Sequence, residues 1–378
     1  MRCVLRGVRV IDPAADRDDR GMDVWIDGGS LRAIDRRIDA AGIAVIDLTP
    51  DDEADACVIC PAFIDLHAHL REPGDEDAET VMSGCGAAAA GGYAAVVAMA
   101  NTRVPIDSPD RVRQALARGE RAPVTVLQAA ALTRGLHGQE LTDVASCIAA
   151  GAVAISDDGR NAAPVELVSQ ALVAAAGASR AVLVHVEDEA DVARLNPGAS
   201  MTRAPLRPAD AESHAVSSAL EALRNAGAGR LHLQHVSTAA SVEQLRRGRA
   251  EGLAVTAEVT PHHLSLVDDG ATGERDPLRK VNPPLRSDAD RHAVAAALRD
   301  GVIDAVATDH APHRMTDKAA GYEAAPPGMI GLETALALCI THGGFSGDAL
   351  GVLVARLTTG PRAVLGDAIE LAHPRLLT

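Results

Sequence analysis

Short apolar runs rich in Val, Ile and Ala alternate with longer stretches of helical period from about residue 57 to residue 313. Eight runs read as strands: 58–69, 94–101, 124–132, 152–158, 181–187, 231–237, 254–262 and 305–310. Between them lie segments with apolar residues recurring every three or four positions, such as 110–117 and 291–299. A strand that is apolar almost throughout is covered on both faces, so these strands pair in parallel with helices packed outside. Eight such units predict an α/β protein built on a closed (β/α)8 TIM barrel over residues 58–366, rather than an open doubly wound sheet. The start of the chain is different. Runs at 8–11, 24–26 and 43–46 are separated by Gly, Asp and Arg turns without helices, which predicts a small sandwich-like β domain over 1–57. After the eighth strand come a Gly- and Pro-rich loop at 314–328 and helix candidates at 332–341 and 349–357; residues 367–378 are the candidate segment for a return to the β domain.

Composition narrows the function classes. Asp and Glu number 52 against 36 Lys and Arg, a formal charge of -16, which repels a phosphate backbone and excludes nucleic acid as a partner. The most apolar long window, 85–100, is built from Ala and Gly and is too short for a bilayer, so no membrane partner is expected. The N-terminus alternates apolar and charged residues and lacks a signal-peptide core, and six cysteines are too sparse for a disulfide framework. Both point to the cytoplasm. Cys57 and Cys60 form one CxxC without a second pair nearby and read as ordinary thiols.

Parallel barrels carry their chemistry at the C-terminal ends of the strands, and here those ends are polar: His67 and His69, Asp157-Asp158, His185, His235, His262-His263 and Asp309-His310. One histidine at a strand end is usually a hydrogen-bonded structural residue. Four or more converging with two aspartates would leave buried polar groups unsatisfied without a cation, and imidazole with carboxylate suits zinc best. His67 and His69, two apart on a strand, share a face. Strand parity lets only one of Asp157 and Asp158, and only one of His262 and His263, enter the mouth, without choosing between them. Asp309 is the natural carboxylate both to touch a metal and to move protons.

The motifs together resemble the class I dihydroorotases of the amidohydrolase superfamily. They are Pro61 through Gly74 with the His67-Ala68-His69 core, Met99-Ala100-Asn101-Thr102, Ser156-Asp157-Asp158-Gly159, His185-Val186-Glu187-Asp188, and His235-Val236-Ser237-Thr238. Further on come Glu258 through His263, Lys280 through Arg286, and Thr308 through His313. The resemblance implies two zinc ions per chain: His67, His69 and Asp309 on one, His185 and His235 on the other, Asp158 bridging in preference to Asp157. It implies Asp309 as the catalytic proton carrier. Arg71, Asn101, Asn282 and His313 would grip the substrate carboxylate, with backbone near Pro327 and Gly328 closing over the ring. For Lys280 and Arg286, structural ion pairs are the better reading, and for Arg71 a surface pair with Glu72 or Asp75 competes.

The activity so implied is interconversion of N-carbamoyl-L-aspartate and L-dihydroorotate in pyrimidine biosynthesis. Hydantoinases and allantoinases, the alternative cyclic amidohydrolases, usually bridge their metals with a carboxylated lysine on the fourth strand. The two lysines of this chain, Lys280 and Lys318, lie elsewhere. A catalytically silent scaffold for an aspartate carbamoyltransferase is a second alternative, since family members usually continue some tens of residues further. The same shortness implies an incomplete β domain, in a chain whose active site is intact but whose solubility or stability is reduced. A homodimer and association with a carbamoyltransferase are the partner expectations.

Overall fold

The computed structural model describes residues 2–51, 57–160, 163–195, 207–268 and 275–369. The part of the tail at 370–378 that was expected to return to the β domain lies outside the described residues. Near the N-terminus five strands form one sheet: β1 (Arg2–Asp12), β2 (Arg17–Asp27), β3 (Ser30–Asp35), β4 (Ala44–Asp47) and β5 (Val58–Ile59), in the order β3-β2-β1-β4 with β5 also on β1. Val8, Val10, Met22 and Val24 are buried together on it. Arg9 ties the sheet to the rest of the chain, with Nε 2.7 Å from Asp18 Oδ1 and Nη1 donating to Gly347 O at 2.9 Å. Strand β3 was not foreseen, because Ser30, Leu31 and Arg32 are all exposed and show no buried face to read.

Eight parallel strands follow: β6 (Phe63–Ala68), β7 (Tyr93–Ala98), β8 (Thr125–Ala130), β9 (Ala154–Ser156), β10 (Ala181–His185), β11 (Arg230–Gln234), β12 (Val255–Val259) and β13 (Ala305–Val306). Each pairs with the next, and a parallel bridge from Ala68 to His310, with His69 N donating to His310 O at 2.8 Å, closes β13 back onto β6. The protein is therefore a (β/α)8 barrel. Helices such as Pro109–Gly119, Val165–Ala176, Ala209–Ala226 and Asp288–Arg299 cover the outside through buried Val112, Leu172, Leu220 and Leu298. Burying each such side chain contributes about 1.5–3 kcal/mol. The interior is filled by Leu66, Val97, Ala129, Ala154, Leu183 and Ala305, packed against Val364, Leu365 and Ala368 from the helix Thr359–Leu365 and the turn after it. The strand starts are thus sealed with apolar groups, and most of the candidate chemistry lies at the strand ends.

Two expectations change. The run 58–69 is two strands in two sheets: Val58–Ile59 pairs with β1, Phe63–Ala68 enters the barrel, and Pro61 between them has no N–H for a continuous ladder. Strand β12 stops at Val259. Thr260 caps a short helix, Pro261–Ser265, by accepting from His263 N, so His262 and His263 sit on a helical turn and both are buried. Alternation along a strand therefore does not choose between them. Among the described residues no helix is long and apolar enough to cross a membrane.

Candidate metal centre

The strand ends bring six of the predicted side chains to one point. His67 Nε2 lies 3.2 Å from Asp158 Oδ1 and 3.5 Å from Asp309 Oδ1, and His69 Nε2 lies 2.9 Å from Asp309 Oδ1 and 3.4 Å from Asp158 Oδ2. His185 Nδ1 and His235 Nε2 stand 3.6 and 3.7 Å from Asp158 Oδ1 and 2.8 Å from each other. Donor atoms of His67, His69 and Asp309 lie within 4.8 Å of one another, and so do those of His67, Asp158 and His235. All six residues are buried. Asp158 is the shared acid. Asp157 turns away, accepting from Thr133 N at 2.9 Å and from the Thr133 hydroxyl.

The backbone bends where these groups are presented. His235 and Asp309 have φ of 37° and 47°, and Arg71 has 61°, a region non-glycine residues adopt at a cost of roughly 1–3 kcal/mol. Regular strand geometry ends just before His235 and three residues before Asp309, and the turn aims both side chains across the barrel mouth.

The donor set fits a cation. Among the described residues, buried His67 Nε2 and Asp158 Oδ1 have no hydrogen-bond partner, an arrangement that costs about 1–3 kcal/mol per group unless something satisfies it, and His185 Nδ1 and His235 Nε2 are the ring nitrogens turned toward Asp158. The tautomers agree. His67 Nδ1 donates to Glu258 Oε1 at 2.8 Å and His69 Nδ1 to Asn101 Oδ1 at 2.9 Å, so both rings turn the lone pair of Nε2 toward Asp158 and Asp309. Burial opposes ionisation of Asp158, but the imidazoles of His67, His185 and His235 outweigh it and hold the carboxyl well below the usual range. Burial likewise opposes charge on His185, while Asp158 and Glu187 raise it to about 9. Each imidazole position facing these acids can hold either a proton or a metal ion, since binding a metal displaces the proton.

Beside this cluster a cavity opens, lined by His69, Arg71, Asn101, Asn282, Asp309 and His313 together with Pro327 and Gly328. Arg71 Nε donates to Pro312 O at 3.0 Å instead of pairing with Glu72, whose Oε2 accepts from Val81 N. His313 Nε2 lies 2.8 Å from Pro327 O and 3.3 Å from Arg71 Nη2; the shorter contact assigns the N–H to Pro327, and both Arg71 and His313 line the cavity. Burial, then Arg71, push His313 down to about 4, so it is neutral there. Among the described residues, buried Asn282 Oδ1 has no hydrogen-bond partner. The Gly328 N–H is already engaged with Lys280 O at 2.8 Å, so of the backbone groups expected to close over a substrate this one is not free. A Cβ on Gly328 would lie 2.6 Å from Ala311 O and 2.9 Å from His313 Nε2, at a φ of 137°, so a side chain there would displace the cavity wall.

The comparisons with known proteins then decide the family. The family model described as Dihydro-orotase-like matches residues 56–198. A dihydroorotase of Anaeromyxobacter dehalogenans is 41% identical over 96% of this chain and 83% of its own length, and one of Pelotomaculum thermopropionicum is 39% identical over 97% and 85%. The chain belongs to the dihydroorotase family. As a member of that family it is a cyclic amide hydrolase. The solved structures of an L-hydantoinase (dihydropyrimidinase) from Arthrobacter aurescens and a dihydropyrimidinase from Brevibacillus agri superpose with TM-scores of 0.81 and 0.80. They cover 99% and 100% of this chain and 83% of each of their own, at 24% and 22% identity, so they share the fold.

Dihydroorotase motifs pointed to the six inner residues but not to what holds them. Glu258 bridges His67 and His232, its Oε2 3.0 Å from His232 Nε2, and His232 Nδ1 in turn meets Thr256 Oγ1 at 2.8 Å. Burial opposes ionisation of Glu258, yet the two imidazoles hold it down at about 2. Asp65 accepts from Thr308 N at 2.8 Å and Oγ1 at 2.6 Å, fixing the residue before Asp309. The signal available for all three was a charged or titratable residue in the middle of an otherwise apolar strand run. Asn101, expected on the substrate, also spends its amide on the cluster: Oδ1 on His69, and Nδ2 at 3.2 Å from both Asp158 O and Asp158 Oδ2. Arg286 is the structural pair expected, buried against Glu212 Oε2 at 3.4 Å, whereas Lys280 donates to backbone carbonyls and not to an acid.

Proposed function

We propose that this chain interconverts N-carbamoyl-L-aspartate and L-dihydroorotate, opening and closing a cyclic amide at a centre of two zinc ions. The observation that carries the reading is the meeting of four buried imidazoles with Asp158 and Asp309, next to a cavity lined by half-buried Arg71. His67, His69 and Asp309 would hold one cation, His185 and His235 the other, with Asp158 between them. Bound divalent cations lower the pKa of water and polarise a carbonyl. The chain's residues do the rest. Asp309 lines the cavity, and the imidazoles of His67 and His69 outweigh burial to keep its carboxylate ionised and ready to accept a proton. In hydrolysis it takes the proton of the attacking water as the new C–O bond forms, then delivers it to the ring nitrogen as the C–N bond breaks; ring closure runs the same transfers backward. Arg71 supplies the positive charge for the substrate carboxylate, and neutral His313 and Asn282 add hydrogen bonds without competing for that charge.

Support for the carboxylate-bearing ring comes from Arg71, so Arg71→Met raises KM by roughly a hundredfold while metal content, measured on the same preparation, stays at the wild-type value. Glu258→Gln weakens the anchor of His67 and lowers metal affinity by about 10- to 100-fold in a chelator competition, with the barrel still folded by circular dichroism. The function itself is tested by measuring zinc content and turnover of both compounds side by side. Near-stoichiometric zinc without turnover of either would remove the proposal.

A further inference from the structure

Of the 36 Lys and Arg side chains only two are lysines, and both stand at the same place beside the cavity. Lys318, at the end of the short helix Met315–Lys318 that follows β13, is 5% exposed. Its Nζ donates to Pro326 O at 2.9 Å, Pro277 O at 3.1 Å and Lys280 O at 3.3 Å. Lys280, on the crossover after β12, reaches the other way: its Nζ donates to Tyr322 O at 2.9 Å and Glu323 O at 3.1 Å and lies 5.4 Å from the centre of the Tyr322 ring. Gly328 N donates to Lys280 O as well, at 2.8 Å. Each lysine therefore reaches carbonyls of the other segment, Lys318 those of Pro277 and Lys280, and Lys280 those of Tyr322 and Glu323, while Lys318 also holds Pro326 in its own loop. One segment delivers Asn282 to the cavity, the other His313 and Pro327.

We propose that Lys318 and Lys280 form a reciprocal clasp that sets the distance between the two loops of the substrate pocket, which makes them positioning residues for substrate binding. The inference rests on the reading that Arg71, Asn282 and His313 grip the substrate. An ammonium suits such a clasp because its three N–H groups diverge from one point onto three carbonyls, whereas a planar guanidinium spreads its donors along a fork. A buried cation facing carbonyl dipoles is costly to place, and burial followed by the charge of Lys280 already pushes Lys318 down to about 8. Neither lysine touches the metal cluster, so their loss acts on the width of the pocket and not on the chemistry.

The test compares wild-type holoenzyme with Lys318→Met, Lys318→Arg and Lys280→Met by steady-state kinetics in both directions, zinc content and amide hydrogen exchange. For Lys318→Met, KM rises about tenfold, kcat stays within about twofold, zinc is unchanged, and exchange quickens at 277–283 and 313–328 but not in the barrel strands. Lys318→Arg keeps the charge and shows the same rise in KM; Lys280→Met shows a smaller rise. KM within twofold of wild type for both methionine variants overturns the clasp, as does full recovery by arginine or a loss of kcat that tracks loss of zinc. Should wild-type enzyme turn over neither compound, it is the functional reading that fails. The exchange comparison then still judges the clasp, which falls if both loops exchange as in wild type.

Discussion

Asp309→Asn lowers turnover of dihydroorotate by about 10³- to 10⁴-fold while leaving the fold intact. The asparagine has the same shape, keeps an oxygen to face His69, and is among the residues that best tolerate the left-handed backbone found there, φ 47°. What it cannot do is accept the proton of the attacking water and return it to the leaving nitrogen. Melting temperature and circular dichroism close to wild type, together with the loss of rate, separate that defect from misfolding. A variant retaining more than about a tenth of wild-type kcat would show that another group carries the proton.

Asp158→Asn has the second large effect, and it is on metal content. One carboxylate oxygen of Asp158 stands 3.2 to 3.7 Å from three imidazoles, and the other lies 3.4 Å from His69. Removing its negative charge leaves four histidines facing one another around a neutral amide, where two cations would repel without the acid between them. Zinc per chain falls below half of the wild-type value, and activity falls by about 10³-fold or more. Full zinc content in the variant would assign the shared position to another residue.

Much of the barrel was legible because its strands are buried on both faces and bounded by turns, so hydrophobic periodicity reports them directly. The same signal failed where burial and element type part company. Residues 58–69 read as one run, since periodicity cannot tell which sheet a residue joins. His262 and His263 read as strand because the apolar stretch before them gives no warning that Thr260 and Pro261 begin a helix. β3 carries no alternation to read, because only Ala33 and Ile34 of its six residues are even partly buried. Within the site, the inner residues stood out as titratable groups at strand ends. Glu258 and His232 sit inside strands, where only the meeting of three strands shows that they buttress His67. The lysine clasp could not be read from sequence at all, since its partners are backbone carbonyls, which every residue has.

The sequence by itself determined the fold class, the alternation of strand and helix, and the identity of the polar groups placed at the strand ends, because burial patterns and residue chemistry are local properties of a chain. Tertiary structure alone decided how closely those groups meet, which nitrogen of each imidazole faces the centre, where Asp157 turns instead, and how the two loops are held over the cavity. These depend on distances and orientations between segments as many as 240 residues apart, such as His69 and Asp309. Such contacts are set by closure of the barrel, and no window of sequence contains both partners.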